Sequence, residues 1–105
     1  MPPVAPELKA RFDDEIQKHK VVLYMKGNQL FPMCGFSARA VDLLKPLGPL
    51  HTVDVLTEPG VRDAIKAYSN WPTIPQIYIN GKFIGGSDIL TELAERGELE
   101  ALVKG

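Results

Sequence analysis

The sequence predicts an α/β fold in which helices flank a central four-stranded mixed sheet. Short runs of β-favouring residues alternate with helix-like stripes along the first half of the chain. Two later strand-like segments are joined by Asn80-Gly81, the two-residue turn most typical of a β-hairpin. The chain has 105 residues, 45% of them hydrophobic, which is enough for the core of one domain. We therefore treat residues 1–105 as a single domain, with residues 1–5 as a loose N-terminal tail.

The first helix and the first strand are predicted from their different periodicities. From Pro6 onward, apolar residues recur every four positions, as on one helix face; they are Leu8, Phe12 and Ile16. The basic run Lys18–Lys20 suits the last turn of this helix, where the helix dipole is negative. Val21–Met25 is a continuous β-favouring run, typical of a strand buried on both faces.

A loop, a second helix and a second strand follow. Glycine, asparagine and proline in Lys26–Met33 indicate the loop. The helix is predicted to begin just after Cys34 and to end at Pro46 and Gly48. Its inward residues are predicted to be Ala38, Val41 and Leu44. His51–Leu56 is predicted as a strand parallel to the first, because a helix connects the two.

The second half adds a helix, a hairpin and a final pair of helices. Thr57-Glu58-Pro59 predicts a helix start, with Val61, Ala64, Ile65 and Tyr68 as the buried stripe. The hairpin strands are predicted at 76–79 and 82–84. The next helix is expected to start at a capping Ser87 or Asp88 and to stop at Gly97, before a short helix over 98–103. A parallel strand pair followed by an antiparallel hairpin, in this order of helices, is the thioredoxin-like fold.

Charge, hydropathy and cysteine count exclude several classes of function. The net charge of −1 gives no basic excess for a nucleic acid. The longest apolar run, Val21–Met25, is too short to cross a membrane, and no secretory start is visible. The single cysteine excludes an internal disulfide and a structural zinc site built by one chain. We expect a cytoplasmic protein with no nucleic-acid or membrane partner.

Cys34 is the residue whose position points to chemistry. It stands between a strand with its loop and the start of a helix, where unpaired backbone N–H groups favour a thiolate. Lys26, at the end of the preceding strand, would add a positive charge nearby. Three residues later stands Ser37, where a Cys-x-x-Cys pair would carry its second thiol.

Four separated motifs make the chain similar to a known family. They are Lys26-Gly27, Pro32–Ser37, Trp71–Gln76 and Gly85–Asp88. In these motifs and their order the chain resembles the monothiol glutaredoxins of the Cys-Gly-Phe-Ser (CGFS) class. The resemblance extends from Leu8 to Val103, which is nearly the whole domain.

The resemblance implies a protein that binds glutathione at Cys34 and holds a [2Fe–2S] cluster between two subunits. The ligand count agrees, because such a cluster takes four thiolates and one chain supplies one. Two chains and two glutathione thiolates complete the set, so we expect a homodimer with the cluster and a monomer without it. The implied function is cluster binding and transfer in iron–sulfur assembly and redox homeostasis. Iron–sulfur client proteins and a BolA-like protein are the implied partners.

The resemblance also implies a glutathione site. Lys26 corresponds to the family lysine beside the thiol, which meets the glycine-end carboxylate, and Arg62 supports the same end. Ser87 and Asp88 correspond to the residues that meet the γ-glutamyl end: a backbone N–H for its carboxylate and the Asp88 carboxylate for its ammonium.

The Ile74-Pro75 step corresponds to the family's cis-proline, which would expose the Ile74 backbone to the glutathione peptide, although the loop sequence by itself favours a trans bond. Trp71 is expected to pack near the site rather than to contact the ligand. Many family members carry cysteine where this chain has Ser87, so no second thiol is present to resolve an oxidised Cys34.

Two other functions use the same residues. Cys34 as a nucleophile would make the protein a glutathione-dependent oxidoreductase that removes glutathione from protein mixed disulfides. The loop 27–33 favours the cluster carrier, because the resemblance links it to members that hold clusters and reduce disulfides poorly. The third and weakest alternative is a redox-inert adaptor that binds protein partners through the same face.

Overall fold

The computed structural model describes residues 4–105. The helices are α1 Pro6–Lys18, α2 Gly35–Leu44, α3 Val61–Ser69, α4 Ser87–Glu95 and α5 Leu99–Lys104, with a 3₁₀ turn over Lys45–Leu47. The strands are β1 Val21–Met25, β2 His51–Asp54, β3 Gln76–Ile79 and β4 Lys82–Gly85. Of the predicted loose tail, residues 1–3 lie outside the described residues, and Val4 packs against the core.

The strands form one four-stranded mixed sheet in the order β2-β1-β3-β4. β1 pairs parallel with β2 and antiparallel with β3, and β3 pairs antiparallel with β4. The hairpin turn has positive φ at both Asn80 and Gly81, as a type I′ turn requires. The predicted thioredoxin-like fold is confirmed.

The sheet separates two hydrophobic cores, and β1 contributes to both of them. Its alternate residues point to opposite faces, so Leu23 packs with helices α2, α4 and α5 while Tyr24 packs with α1 and α3. All five β1 residues are buried, which confirms the prediction of a strand covered on both sides. This three-layer arrangement fixes the end of β1, and therefore the loop that carries Cys34.

The end of α1 and the buried face of α2 differ from the prediction. α1 ends at Lys18 because His19 is already extended, two residues before β1 begins. In α2 the buried face includes Ser37 and Ala40, whereas Ala38 is only half-buried. The prediction therefore placed one inward position wrongly, because it selected apolar residues and passed over a buried serine.

The end of β2 and the start of α3 also differ from the prediction. β2 ends at Asp54, whose carboxylate accepts hydrogen bonds from the N–H groups of Leu56 at 2.9 Å and Gly27 at 3.0 Å. α3 begins at Val61 rather than at Thr57, because Gly60 has φ of +82°, outside the helical region. Thr57 does not cap the helix; its hydroxyl donates to the Asp54 carbonyl instead.

Candidate functional site

A cavity of about 640 Å³ lies beside Cys34. Four segments form its walls: the end of β1 with the start of α2, one face of α3, the loop before β3, and the start of α4. The structure brings all the residues predicted for the site to this cavity; they are Lys26, Cys34, Arg62, Ile74, Pro75, Ser87 and Asp88. Residues as far apart as positions 26 and 88 therefore share one site.

The loop from Lys26 to Met33 is held in one shape by its own hydrogen bonds. Gly27 has φ of +87°, and a Cβ atom there would lie 2.4 Å from the carbonyl oxygen of Phe31. The side-chain oxygen of Asn28 accepts hydrogen bonds from the N–H groups of Leu30 and Phe31 at 3.0 and 2.9 Å. Met33 N–H donates to the Lys26 carbonyl at 2.8 Å, which closes the loop directly before Cys34.

Cys34 is half-buried and precedes the first residue of α2. The Ser37 backbone N–H, in the first turn of α2, contributes most to lowering the pKa of the Cys34 thiol. The Phe36 N–H, the charge of Lys26 and the Ser37 hydroxyl lower this pKa further, against the opposing effect of burial. The Ser37 hydroxyl also accepts a hydrogen bond from the Lys26 N–H at 3.2 Å, so this buried serine joins the end of β1 to the helix that activates the thiol.

We expect the alkylation rate of Cys34 to rise with pH through a midpoint below that of a free cysteine, because the pKa of the Cys34 thiol is lowered. Lys26→Gln should move this midpoint upward, because a positive charge near the thiolate is lost. Lys82→Gln, an exposed lysine in the β3–β4 hairpin, is the matched control and should leave the midpoint unchanged. Rates of iodoacetamide alkylation between pH 5 and about 10 would measure it.

The same pKa shift predicts the sign of a stability change. Because the pKa of Cys34 is lowered by folding, ionised Cys34 favours the folded chain above the pKa of the unfolded thiol. This contribution disappears as the pH falls through the lower, folded-state pKa. An alkylation midpoint for Cys34 in the folded protein that is at or above the midpoint in the unfolded chain would contradict the thiolate assignment.

Hydrogen bonds from the Gln76 side chain hold the loop Trp71–Pro75 in place. The buried Gln76 amide donates to the carbonyls of Trp71 at 3.1 Å and Thr73 at 3.3 Å. The Ile74–Pro75 peptide bond is cis, as the resemblance implied. Within residues 4–105 neither the N–H nor the carbonyl of Ile74 has a hydrogen-bond partner, so both are available at the cavity wall.

Charged side chains give the cavity its electrostatic character. Lys26, Arg62 and Lys66 bring three positive charges to its lining, and Asp88 brings one negative charge. None of the four forms an ion pair within the described part of the chain. Their charges are therefore uncompensated inside the protein, as expected for groups that bind a charged ligand.

Sequence reasoning missed Lys66 and misassigned the start of α4. Lys66 follows Arg62 by one helical turn on α3, so the i, i+4 spacing could have placed both on one face. Ser87 and Asp88 occupy the first turn of α4, but neither side chain caps it; Gly86 is the capping position. The predicted capping role is therefore wrong, which leaves the Asp88 carboxylate without a bond to its own helix.

Trp71 both packs and lines the cavity. Its ring lies 5.6 Å from that of Phe83, in agreement with the predicted packing role. It also forms part of the cavity wall. Its Nε1 is buried without a hydrogen-bond partner in the range 4–105.

Cys34 is the only residue of the site with a soft ligand atom. Among residues 4–105 no group of three or more His, Cys, Asp and Glu side chains could hold a metal ion. No helix in the same range is long and apolar enough to cross a membrane. The site thus offers one activated thiol beside a charged cavity, and an iron–sulfur cluster bound there would need its remaining ligands from outside the chain.

Comparison with known proteins places this site in a family. The sequence model named Glutaredoxin matches residues 21–84. A monothiol glutaredoxin of Synechocystis (ycf64-like) is 52% identical over 94% of this chain and 94% of its own length. The chloroplastic monothiol glutaredoxin-S7 of rice is 48% identical over 92% of this chain and 58% of its own. The solution structure of reduced apo GrxS14 from poplar superposes with a TM-score of 0.81 at 47% identity, over 92% of this chain and 90% of that one.

Proposed function

The chain belongs to the monothiol glutaredoxins, and we propose that it binds a [2Fe–2S] cluster between two subunits with glutathione and transfers it to other proteins. Glutathione use is a property of the family, and the cavity beside Cys34 supports it here. The observation that carries the proposal is the single activated thiol, which adjoins a cavity with three uncompensated cations and one uncompensated carboxylate. Cluster binding as proposed requires Cys34, glutathione and a second subunit.

The charges of the cavity match those of glutathione, which has two carboxylates and one ammonium group. We assign Lys26 and Arg62 to the glycine-end carboxylate, and Lys66 adds a third positive charge on the same face of α3 as Arg62. The backbone N–H groups at the start of α4, including that of Ser87, suit the γ-glutamyl carboxylate. Asp88 then pairs with the ammonium group.

The peptide of glutathione would lie along the Ile74–Pro75 step. The free N–H and carbonyl of Ile74 can pair with an extended peptide as a short added strand. Gln76 holds this segment from the core side, so little ordering would accompany binding. The glutathione sulfur would then lie near Cys34, because the Ile74–Pro75 step and the start of α4 line the same cavity as the thiol.

The cluster is cargo in this proposal, and the chain contributes one of its four ligands. A thiolate is the form of cysteine that binds iron, and the helix N–H groups favour that form at Cys34. Two protomers supply two thiolates and two glutathione molecules supply the rest. Because half of the ligands are small molecules, the cluster, the dimer and the bound glutathione should appear and disappear together.

Removal of glutathione tests this coupling. Protein reconstituted anaerobically with iron, sulfide and glutathione should be a brown dimer. Desalting into a buffer without glutathione should bleach the visible absorption and convert the dimer to a monomer with the same time course. Desalting into a buffer with glutathione is the control and should preserve both. A dimer that kept its cluster without glutathione would contradict the ligand set.

The same thiol supports the alternative activity as an oxidoreductase. A lowered pKa and partial exposure suit a nucleophile that takes glutathione from mixed disulfides. Ser87 leaves Cys34 as the only thiol, so a second glutathione would have to complete each cycle. We propose this as a secondary activity of the cluster carrier.

The proposed partners follow from cargo transfer and are iron–sulfur client proteins and a BolA-like protein that could replace one subunit. We propose a cytoplasmic location because the site needs reduced thiols and abundant glutathione. The rice relative is chloroplastic, and that compartment is the alternative.

A further inference from the structure

Asp54 is bonded to the loop that carries Cys34, although it lies outside the cavity. It is half-buried at the end of β2 and is not among the residues that line the cavity. One oxygen of its carboxylate accepts the N–H of Leu56 at 2.9 Å and the N–H of Gly27 at 3.0 Å. The bond to Leu56 forms a local turn, whereas the bond to Gly27 joins β2 to the residue that follows Lys26.

The Lys26–Gly27 peptide group is hydrogen-bonded at both of its polar atoms. Its N–H belongs to Gly27 and donates to Asp54. Its carbonyl belongs to Lys26 and accepts the N–H of Met33 at 2.8 Å. Met33 directly precedes Cys34, so this peptide group connects Asp54 to the thiol. A rotation of the group would break both bonds, and the position of Cys34 relative to Lys26 would no longer be fixed.

Loss of the Asp54 carboxylate would release this peptide group. Gly27 is buried, and in the range 4–105 Asp54 is the only hydrogen-bond partner of its N–H. A buried N–H without a partner is destabilising, so the group would rotate until its N–H reached water. Glycine permits such a rotation, because it has no Cβ atom and adopts both signs of φ.

We propose that Asp54 is a positioning residue, which acts through the Lys26–Gly27 peptide group to fix Cys34 relative to Lys26 and to the start of α2. Its effect on glutathione binding rests on the proposed function, in which Lys26 is assigned to the glycine-end carboxylate. Its effect on ionisation of the thiol does not, because Lys26 and the N–H groups of α2 favour the thiolate with or without a ligand.

The charge and the hydrogen bond of Asp54 act on the thiol in opposite directions. A carboxylate near a thiol disfavours the thiolate, so removal of the charge alone would favour ionisation of Cys34. Removal of the hydrogen bond would disfavour ionisation, because Lys26 and the helix N–H groups would no longer be held beside the sulfur. Variants that separate the two effects should therefore shift the alkylation midpoint of Cys34 with opposite signs.

Three substitutions of Asp54 in the apo chain separate these effects. Asp54→Asn removes the charge and keeps an oxygen that can accept both N–H groups, whereas Asp54→Ala removes both bonds. Asp54→Ser keeps a hydroxyl for the local turn to Leu56, but its oxygen is one bond closer to the backbone and falls short of Gly27. Val53→Ala removes buried apolar atoms from the preceding residue of β2 and is the control for a general loss of stability.

The variants and the wild type are compared by thermal melting, by the pH dependence of iodoacetamide alkylation, and by calorimetric titration of glutathione. We expect Asp54→Ala and Asp54→Ser to raise the alkylation midpoint by about half a pH unit or more. Their affinity for glutathione should fall about tenfold if about one chain in ten holds the loop in its bound shape. Asp54→Asn should have a midpoint at or below that of the wild type. Val53→Ala should match the wild type in midpoint and affinity despite a lower melting temperature.

A midpoint at or below the wild-type value in Asp54→Ala or Asp54→Ser would overturn the proposal, and Asp54→Ser decides if Asp54→Ala does not fold. A midpoint as high in Asp54→Asn or Val53→Ala as in Asp54→Ala would also overturn it, because the Gly27 bond would not be the cause. Unchanged glutathione affinity beside a raised midpoint would overturn the part of Asp54 in glutathione binding. If the wild type binds no glutathione, the proposed function fails, and the alkylation midpoints still decide the role of Asp54.

Discussion

Cys34→Ser should bind no cluster, and at a pH where the Cys34 thiol is protonated it should melt at the same temperature as the apo wild type. Cys34 supplies the only soft ligand of the chain, and a serine hydroxyl is a poor ligand for iron in an iron–sulfur cluster. The fold should be unaffected, because Cys34 is half-buried and precedes a helix start where serine is favoured. The effect is all-or-none in iron and sulfide content after reconstitution.

Ser87→Ala is the matched control for this experiment. It changes another small side chain of the cavity, and the proposed contact of Ser87 is through its backbone N–H, so cluster content should stay close to wild type. Iron and sulfide assays, visible circular dichroism and thermal melting on the three proteins would decide. Cluster retained by Cys34→Ser would remove Cys34 from the ligand set, and loss of cooperative melting would make it a structural residue.

Asp88→Asn should weaken glutathione binding by about tenfold without lowering the melting temperature. Charge-assisted hydrogen bonds contribute about 1.5–3 kcal/mol, and the exposed position of Asp88 places its pair at the low end. Since Asp88 does not cap α4, only the weak interaction of its charge with the helix dipole remains to affect stability.

Asp63→Asn is the control for Asp88→Asn, because Asp63 is also an exposed aspartate in the first turn of a helix. Calorimetric titration of glutathione into each apo protein would measure the affinities. Of the two variants, only Asp88→Asn should also retain less cluster after reconstitution. Equal loss of affinity in both variants would mean that net charge rather than a contact is responsible. Unchanged affinity in Asp88→Asn would remove Asp88 from the site.

The order of the elements could be predicted from local sequence because each has a strong periodic signal. The Val21–Met25 run predicted β1, and the Asn80-Gly81 turn predicted the β3–β4 hairpin. Both predictions were confirmed. Element ends were harder to predict, since they depend on contacts across the fold. Asp54 ends β2 by binding the N–H of Gly27, which is 27 residues earlier in the chain.

The candidate site was predicted through its motifs, whereas the hydrogen bonds that support it were not. Ser37 and Gln76 are buried polar residues whose hydrogen bonds to Lys26 and to the Trp71–Pro75 loop hold the cavity walls in place. Burial of a polar side chain has no local periodic signal, because it depends on which partners the fold brings near. Lys66 could have been found from its helical spacing to Arg62, once α3 was predicted.

The central claim is that two chains, one cluster and two glutathione molecules form one unit. Native mass spectrometry of anaerobically reconstituted protein measures this composition directly. We expect a complex with the mass of two chains plus one [2Fe–2S] cluster and two glutathione molecules, which falls to single chains when glutathione is removed. A cluster-bearing species with one chain, or with two chains and no glutathione, would contradict the account.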